Sequence, residues 1–416
     1  MLNGRIFEVP TLAWSGRKKL SLMFPEDWKV NFFPMTGYKE SLLSDFEVKN
    51  ALRNPIGSKP IAKLAKGKRE AVIVVDDMTR PTKAYQLLPI LMKELKNAGI
   101  HDDHIQFIMG GGLHGAWYRH DFIKKIGEEA VEKYPIYNHN PFSNCEKLGE
   151  TSKGTPVEIN AEYNSCDLKI GIGSIVPHPQ TGYGGGAKII LPGISSFETV
   201  YNNHAVVHKK NPPNDSYFGF LRNNITRADI EEAGKIAHMD MKIDVLVNGI
   251  GDSVAIFTGD LQQEFIQAAE VAKNHYSTPT LPKDVDILIT NTYAKANEAV
   301  LALTNWNHVM NKNSVMILIA QAPEGQTTHY LYGKFGKKQV APGGRQLSKI
   351  NFSKLIIFSE YKIKDPFLPI TDSEMVWVNT WDEALEEAKN CFDYNPNVAL
   401  IPNADIQCDE ETLSRF

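Results

Sequence analysis

The stretch Ala71-Val-Ile-Val-Val-Asp-Asp-Met-Thr-Arg-Pro81 decides the fold class, because a run of apolar residues passes directly into a polar turn. A continuous apolar run such as 71–75 is typical of a strand buried on both faces of a parallel sheet. The sequence then predicts a helix over 84–98, a strand over 104–109 and a helix over 119–131. This alternation indicates a layered α/β domain with a mainly parallel sheet.

The same alternation continues and then restarts, which predicts two domains. Strands over 168–175 and 242–247 and an amphipathic helix over 261–275 extend the first domain, and two prolines within 276–283 interrupt the pattern. A second series follows, with strands over 285–290, 315–320, 355–358 and 375–378 and a helix over 381–391. We therefore expect a larger N-terminal α/β domain over 1–276 and a smaller C-terminal α/β domain over 284–416.

Composition and charge exclude several classes of protein. The 416 residues include 45 Lys and Arg against 49 Asp and Glu, a formal charge of −4, which argues against a nucleic-acid partner. A hydrophobic content of 42% argues against disorder. No apolar run has the length of a membrane helix and the first thirty residues do not resemble a secretory signal, so we expect a cytoplasmic protein without a membrane partner. The four cysteines are widely spaced, which favours neither disulfides nor a zinc site.

Polar residues follow the first two strands at the edge where ligands of open α/β sheets bind. Asp77 and Thr79 are placed to cap the next helix, and Arg80 is suited to pair with a carboxylate or a phosphate. The alternative is a capping turn with a surface ion pair. The second strand ends in Gly110-Gly-Gly-Leu-His114, so a glycine turn brings a histidine to the same edge. Histidine titrates near neutral pH and is a candidate general base, although a structural role is equally compatible with the sequence.

The strongest cluster lies in 175–193, where Gly182, Gly184, Gly185 and Gly186 stand between His178 and Lys188. It is not a Walker loop, because the lysine is preceded by alanine and followed by isoleucine. It also lacks the strand-to-helix setting and the downstream acid of a dinucleotide fingerprint. A specialised ligand loop is the favoured interpretation, and a merely flexible loop is the alternative.

His204-Ala-Val-Val-His208 has the four-residue spacing that places two imidazoles on one helical face. The glutamate of a zinc protease motif is absent, since Ala205 follows the first histidine. One of these histidines could bind a metal alone if a cofactor supplied the other ligands. The remaining histidines have no such context and are assigned structural or surface roles: His101, His104, His120, His139, His238, His275, His308 and His329.

Taken in order, these motifs resemble the lactate racemase family. They are Asp77-x-x-Arg80, His114 after a glycine turn, Pro177-His178, Lys188 ten residues later and His204 sixteen residues after that. The resemblance covers roughly residues 70–275 and extends more loosely into the second domain. It implies a racemase or epimerase of 2-hydroxy acids, with the active site in the cleft between a cofactor-binding domain and a smaller closing domain.

The resemblance also implies a cofactor and a role for each residue. Nickel would be carried by a nickel-pincer nucleotide, a pyridinium-3,5-bisthiocarboxylic acid mononucleotide attached covalently to Lys188, with His204 as the protein's nickel ligand. Asp77, Thr79, Arg80, Gly185 and Gly186 would surround the nucleotide. His114 and His178 would be the acid/base pair, one for each face of the substrate, and Arg80 and Lys295 would hold the substrate. The partners would be the substrate and the enzymes that synthesise the cofactor.

Several positions depart from the family pattern. Leu113 and Gly115 flank His114, Pro179 follows His178, and Gly184 replaces a common serine. The family's Tyr-Gln-x-x-Lys segment is replaced by Asn291-Thr-Tyr-Ala-Lys-Ala-Asn-Glu298, which contains no glutamine. This difference points to a 2-hydroxy acid or sugar acid other than lactate. The remaining alternatives are a metal-dependent hydrolase that uses His204 and His208, and a non-catalytic nucleotide-binding homologue.

Overall fold

The computed structural model describes residues 4–16, 19–211, 218–331, 351–362 and 374–414, and these divide into two compact units. The unit called here the central unit contains Glu40–His275 and the segment that starts at Thr328. The terminal unit contains the residues before Glu40, Tyr276–Thr327 and the described residues from 351 onward. The chain therefore passes from the terminal unit to the central unit and back, and it enters the central unit once more at Thr328.

The described strands are, in chain order, β1 (Gly4–Pro10), β2 (Lys19–Pro25), β3 (Lys29–Phe32), β4 (Ala71–Asp76), β5 (Ile105–Gly110), β6 (Ile136–Asn138), β7 (Cys145–Glu150), β8 (Pro156–Asn160), β9 (Leu168–Ser174), β10 (Pro177–His178), β11 (Gly182–Tyr183), β12 (Met241–Val247), β13 (Ser253–Gly259), β14 (Ser277–Thr278), β15 (Ile287–Asn291), β16 (Val315–Ile319), β17 (Lys354–Phe358), β18 (Glu374–Val378), β19 (Asn397–Ile401) and β20 (Cys408–Asp409).

The described α-helices are α1 (Asp45–Arg53), α2 (Ile61–Leu64), α3 (Leu88–Asn97), α4 (Arg119–Ile126), α5 (Glu128–Lys133), α6 (Ala161–Ser165), α7 (Phe197–Tyr201), α8 (Ile225–Ala237), α9 (Gln263–His275), α10 (Val300–Trp306), α11 (Trp381–Lys389) and α12 (Glu410–Ser414). A π-helical segment, Asn202–Val207, directly continues α7. Among the described helices, none is both long enough and apolar enough to span a membrane.

The central unit is built on a six-stranded sheet in the order β13-β12-β9-β4-β5-β6. All neighbouring pairs are parallel except β12 and β13. Every residue of β4 and β12 is buried, as expected for strands covered on both faces. The apolar core beside this sheet includes Val72, Val74, Ile108, Leu191 and Ile230.

The terminal unit has its own six-stranded parallel sheet, in the order β18-β17-β16-β15-β19-β3. Two apolar clusters pack against it, one around Ile289 and Ile317 and the other around Leu288 and Trp306. The strand at one edge, β3, comes from the N-terminal segment, and it pairs with β19 near the other end of the chain.

The predicted α/β class with large parallel sheets is confirmed, and two details differ from prediction. Residues before Glu40 lie in the terminal unit and not in the first domain, because β3 completes the second sheet. The predicted helix over 119–131 is two helices, α4 and α5. They separate at Gly127, which has a φ of +90°, a value that ends a helix and that L side chains rarely adopt.

Candidate active site

The order of strands in the central sheet places a ligand crevice between β4 and β9. The chain runs from β4 through β5 to β6 on one side, and from β9 through β12 to β13 on the other. The carboxyl ends of β4 and β9 therefore form a topological switch point, the usual position of ligands in open α/β sheets. The polar turn and the glycine loop predicted from the sequence both follow these strands.

A pocket lies at this switch point, with about 470 Å³ of empty space when its solvent-open part is included. Its walls include the candidate residues Asp77, Thr79, Arg80, His114, Gly185 and Lys188. Gly186, His178, His204 and Lys295 are not among the lining residues. The wall also contains residues not selected from the sequence: Asp76, Gly110, Gly111, Gly173, Ser174, Ile189, Pro192, Gly193 and Lys242.

His114 and Asp77 form the central contact of the pocket, with Nδ1 of the imidazole 2.5 Å from Oδ2 of the carboxylate. Burial acts to raise the pKa of Asp77, but His114, Arg80 and Thr79 outweigh burial and hold this pKa well below its usual range. Asp77 is therefore ionised at neutral pH and accepts the Nδ1 hydrogen. In the neutral imidazole, Nε2 then carries the lone pair, which is the state that a general base requires.

The turn after β4 is built differently from the predicted helix cap. The amide and the hydroxyl of Thr79 both donate to Oδ1 of Asp77, at 2.9 and 2.6 Å. Arg80 donates from Nη1 to the carbonyl and hydroxyl oxygens of Thr79. The capping prediction is wrong, because helical structure starts only at Ala84 and the cap of α3 makes no side-chain hydrogen bond. The turn instead joins Asp77, Thr79 and Arg80 in one network beside His114.

The glycine loop after β9 is tightly packed rather than merely flexible. Gly185 and Gly186 have φ values of +74° and +54°, which favour glycine. A Cβ on Gly185 would lie 2.3 Å from the Ile175 side chain, and one on Gly186 would lie 2.6 Å from a nitrogen of Arg227. Larger residues at both positions are therefore excluded by packing and by backbone conformation.

Two residues that were not selected from the sequence hold this loop. Arg227 of α8 donates to the carbonyls of Tyr183 and Gly185, and its guanidinium lies 3.4 Å from the centre of the Phe265 ring. Asp244 of β12 accepts the amide of Gly186 at 2.6 Å. The loop that carries Lys188 is thus fixed from two elements of the central unit. These contacts join residues far apart in sequence, and no local pattern signals them.

His178 lies on the short hairpin of β10 and β11, just after β9. Its Nδ1 accepts the amide of Gln180 at 3.2 Å and lies 3.1 Å from the hydroxyl of Thr181. Because Nδ1 is an acceptor, the neutral ring carries its hydrogen on Nε2. At Nε2, the neutral ring of His178 is therefore a hydrogen-bond donor, whereas the neutral ring of His114 is an acceptor.

His204 lies in the π-helical segment and is buried, with 7% of its surface exposed. Its Nδ1 has no hydrogen-bond partner among the residues that the structure describes. Burial is the main cause that lowers its pKa well below the usual range, and Lys188 and His114 contribute in the same direction. The imidazole is therefore neutral, as a metal ligand must be, and Lys188 and His114 are within electrostatic range.

His208 does not form a second free imidazole beside His204. Its Nδ1 lies 3.1 Å from the hydroxyl of Thr226 and 3.2 Å from the amide nitrogen of Asn211. Within the described ranges, no group of three or more His, Cys, Asp or Glu side chains is arranged to hold a metal ion. A metal at His204 would need most of its ligands from another molecule.

A buried ion pair lies behind the pocket. Nζ of Lys125, on α4, is 3.0 Å from Oδ1 of Asp76 and also donates to the carbonyl of Arg80. The Lys125 side chain is fully buried, and Thr82 donates to the other carboxylate oxygen. Burial raises the pKa of Asp76 and lowers that of Lys125, while each partner opposes the shift of the other. The pair fixes the turn that carries Asp77 and Arg80.

Lys295, predicted to hold the substrate, belongs to the terminal unit and follows β15. It is fully buried, and its backbone amide donates to Asp405, which follows β19. Burial is the main cause that raises the pKa of Asp405 to about 6, against the opposing effect of Lys295. β15 and β19 are neighbours at the switch point of the second sheet, the place where ligands of open α/β sheets usually bind.

Two of the histidines for which the sequence predicts structural or surface roles have very different contacts. His139 is buried between Ser195 and Asn160, and burial lowers its pKa to about 4, as expected for a neutral structural imidazole. His329 differs, because its ring contacts His114 with 5.2 Å between the ring centres. Nothing near His329 in the sequence signals this contact with a residue more than two hundred positions earlier.

The fold and the pocket define an α/β protein with a histidine–aspartate pair at a switch point, and comparison with known proteins identifies the class as an isomerase of the racemase type. Residues 15–215 match the lactate racemase N-terminal domain. The chain is 25% identical over 412 residues to the lactate racemase of Thermoanaerobacterium thermosaccharolyticum, covering 93% of this chain and 96% of the relative. It is 26% identical over 389 residues to that of Lactiplantibacillus plantarum, covering 88% and 91%.

Solved structures share the fold. The lactate racemase apoprotein from Thermoanaerobacterium thermosaccharolyticum matches with a TM-score of 0.74 and 23% identity, over 97% of this chain and 100% of that chain. A protein from Thermotoga maritima matches with a TM-score of 0.63 and 17% identity, over 89% and 100%. Residues 15–215 are thus similar to the lactate racemase N-terminal domain, and nearly the whole chain is similar to lactate racemases.

Proposed function

We propose that this protein inverts the hydroxyl-bearing carbon of a 2-hydroxy acid, as a racemase or epimerase. The observation that carries the proposal is the contact between His114 and the ionised carboxylate of Asp77, in a pocket that also contains Lys188. This contact leaves Nε2 of His114 as a base at the pocket wall. Inversion requires a second acid/base group for the other face, and the proposal assigns this role to His178.

The cofactor in this proposal is the nickel-pincer nucleotide, and the residues present fit it. His204 offers a buried, neutral imidazole whose Nδ1 has no protein partner among the described residues, and a single protein ligand suits a metal held mainly by sulfur and carbon atoms of a cofactor. Lys188 reaches the pocket from the fixed glycine loop and would be the attachment point. When bound, such a group supplies a reversible hydride acceptor, so the protein itself only has to move protons and orient the substrate.

The side chains of this protein would act as follows. Nε2 of His114 takes the hydroxyl proton of one enantiomer, and Asp77 stabilises the resulting imidazolium charge. Loss of this proton and of a hydride turns the 2-hydroxy acid into a planar 2-keto acid. Nε2–H of His178 donates a proton to the keto oxygen when the opposite enantiomer forms. Arg80, fixed to Thr79, is placed to bind the substrate carboxylate from the pocket wall. Lys295 is retained as a proposed second contact to the substrate, supplied by the terminal unit.

The substrate in this proposal is a 2-hydroxy acid or sugar acid other than lactate, because the Gln of the family's Tyr-Gln-x-x-Lys segment is missing around Lys295. We expect the loaded enzyme to interconvert the isomers of at least one larger 2-hydroxy acid with a higher kcat/KM than lactate. Chiral chromatography of a panel of 2-hydroxy acids measures this. Lactate as the best substrate of the panel would contradict the substrate assignment but not the racemase.

The metal-hydrolase alternative has less support, because His208 is engaged by Thr226 and Asn211 and the described residues contain no cluster of three or more metal-binding side chains. The non-catalytic alternative differs from the proposal in predicting a bound nucleotide without turnover. The hydrolase alternative predicts no covalent adduct on Lys188, and the non-catalytic alternative predicts no activity that a substitution could remove.

The proposal is tested by expressing the protein together with the enzymes that synthesise the cofactor. We expect the intact mass to rise by the mass of the cofactor and nickel to reach about one equivalent per chain, since Lys188 and His204 are each a single attachment point. Lys188→Ala is expected to lose the adduct, most of the nickel and all activity. Lys209→Ala, at an exposed lysine, serves as the control and should load normally. If wild type stays empty while the Lactiplantibacillus plantarum lactate racemase loads in parallel, the cofactor assignment is wrong.

A further inference from the structure

A third imidazole lies beside the proposed base. The ring of His329 contacts that of His114 with 5.2 Å between ring centres and 75° between ring planes, an edge-to-face arrangement. His329 lies outside residues 15–215, which match the lactate racemase N-terminal domain. The contact is therefore made by a part of the chain to which no role has been assigned.

The backbone holds the two histidines opposite each other. His114 and His329 form an isolated antiparallel bridge. The amide of Gly115 donates to the carbonyl of Thr328 at 3.0 Å, and the amide of Tyr330 donates to the carbonyl of Leu113 at 2.9 Å. The loop that carries His114 is thus paired with residues 328–330 over three positions.

The segment is anchored in the central unit on its far side as well. Leu331 is fully buried in the apolar cluster beside the central sheet. The ring of Tyr330 lies 5.3 Å from that of Phe142, in an edge-to-face contact. Burial of this leucine side chain is favourable and holds the short segment against the central unit. The position of His329 is therefore determined by packing.

The ring of His329 is itself oriented. Its Nδ1 accepts the amide of Leu331 at 3.2 Å, so the neutral ring carries its hydrogen on Nε2. The hydrogen bond from Nδ1 of His114 to Asp77 restrains one edge of the imidazole. An aromatic ring packed edge-to-face against His114 adds a further restraint on its orientation.

We propose that His329 is a positioning residue, which together with Asp77 holds the imidazole of His114 in one orientation at the pocket wall. This inference rests on the proposed racemase function for its kinetic consequence, but the orientation itself is a property of the unloaded protein. Proton transfer needs the base within hydrogen-bond distance of its proton, and small displacements lower the rate strongly. His329 therefore acts on the rate of turnover and not on cofactor loading.

The kinetic test compares His329→Ala and His329→Phe in the loaded enzyme. We expect His329→Ala to lower kcat by about 10–100-fold with KM changed less than about threefold, because it displaces the base without removing a substrate contact. His329→Phe keeps a ring against His114 and is expected to recover most of this loss. Adduct mass and nickel content should equal those of wild type in both variants. His101→Ala, at an exposed histidine, is the control and should leave kcat unchanged.

A second measurement does not need the cofactor. In the apoprotein labelled with ¹⁵N-histidine, we expect His114 to show a single Nδ1–H tautomer, with its signals identified by their loss in His114→Asn. His329→Ala should increase the motion of the His114 ring, seen as changed ¹⁵N relaxation of these signals, and His329→Phe should largely restore the wild-type relaxation. Signals of His114 that are identical in wild type and His329→Ala would overturn the inference. Equal kcat values of wild type and His329→Ala, measured in loaded and active enzyme, would also overturn the inference.

The two measurements separate the inference from the proposed function. If no substrate turns over in any form but the His114 signals change as expected, the positioning role stands and the racemase assignment fails. If His329→Ala does not fold, His329→Phe decides, because increased motion of the His114 ring despite a retained aromatic ring would overturn the role of ring packing.

Discussion

Replacement of His114 by asparagine is expected to lower kcat of the loaded enzyme by about 10²–10⁴-fold, the usual contribution of a positioned general base. Asparagine preserves a hydrogen-bond donor toward Asp77 but has no group that accepts a proton near neutral pH. The cofactor adduct and the nickel content should not change, because Lys188 and His204 are intact. The measurement is the rate of interconversion of the best substrate, with adduct mass determined on the same sample.

The control for this prediction is His120→Ala, at an exposed imidazole six residues away on α4. We expect this variant to retain the rate of wild type. A His114→Asn enzyme that is loaded and has at least a third of the wild-type rate would show that another group is the base. Activity in wild type and its loss in this variant would also eliminate the non-catalytic alternative.

Replacement of Lys125 by methionine is expected to lower the free energy of unfolding by about 3–5 kcal/mol, because it leaves the Asp76 carboxylate buried without its partner. The Lys125 side chain is fully buried and contacts both Asp76 and the carbonyl of Arg80. Urea unfolding followed by circular dichroism measures the change. Since the pair fixes the turn after β4, the variant should also load less cofactor.

The double variant Asp76→Asn with Lys125→Met separates the cost of an unpaired charge from the loss of packing. The double variant should recover at least half of the lost stability, because neither residue of the former pair then carries a buried charge. Lys133→Met, which breaks the exposed ion pair with Asp102, is the control and should produce no measurable change. A Lys125→Met protein as stable as the control would show that Asp76 is neutral or solvated.

Elements with strong local patterns were predictable from the sequence. The apolar runs of β4 and β16 are continuous, and both strands are buried in parallel sheets. β3 was not predictable, since the alternation of polar and apolar residues in Lys29–Phe32 covers only four residues and its partner is β19. Its place in the second sheet depends on a pairing between chain ends, which no local window contains.

The residues of the candidate site also differ in how far the sequence predicted them. Glycine turns and polar strand ends marked Asp77, His114 and Lys188, because their chemistry and their position relative to strands are local features. The function of Asp77 was not predictable from local features. Asp77 was expected to cap a helix, but it accepts a hydrogen bond from the ring of His114. Arg227 and His329 act on the site across long sequence separations and carry no distinctive motif. Their roles depend on tertiary packing alone.

The pairing of β3 with β19 has a consequence for how the protein is made. On the ribosome, Lys29–Phe32 is synthesised early, and Asn397–Ile401, its partner, is synthesised much later. The larger part of the central unit, Glu40–His275, emerges long before this partner, so it can begin to fold while the N-terminal strand is still unpaired. The unpaired edge of the N-terminal strand can then pair with the wrong strand. We therefore expect nascent chains arrested before Asn397 to require a chaperone that covers the N-terminal segment.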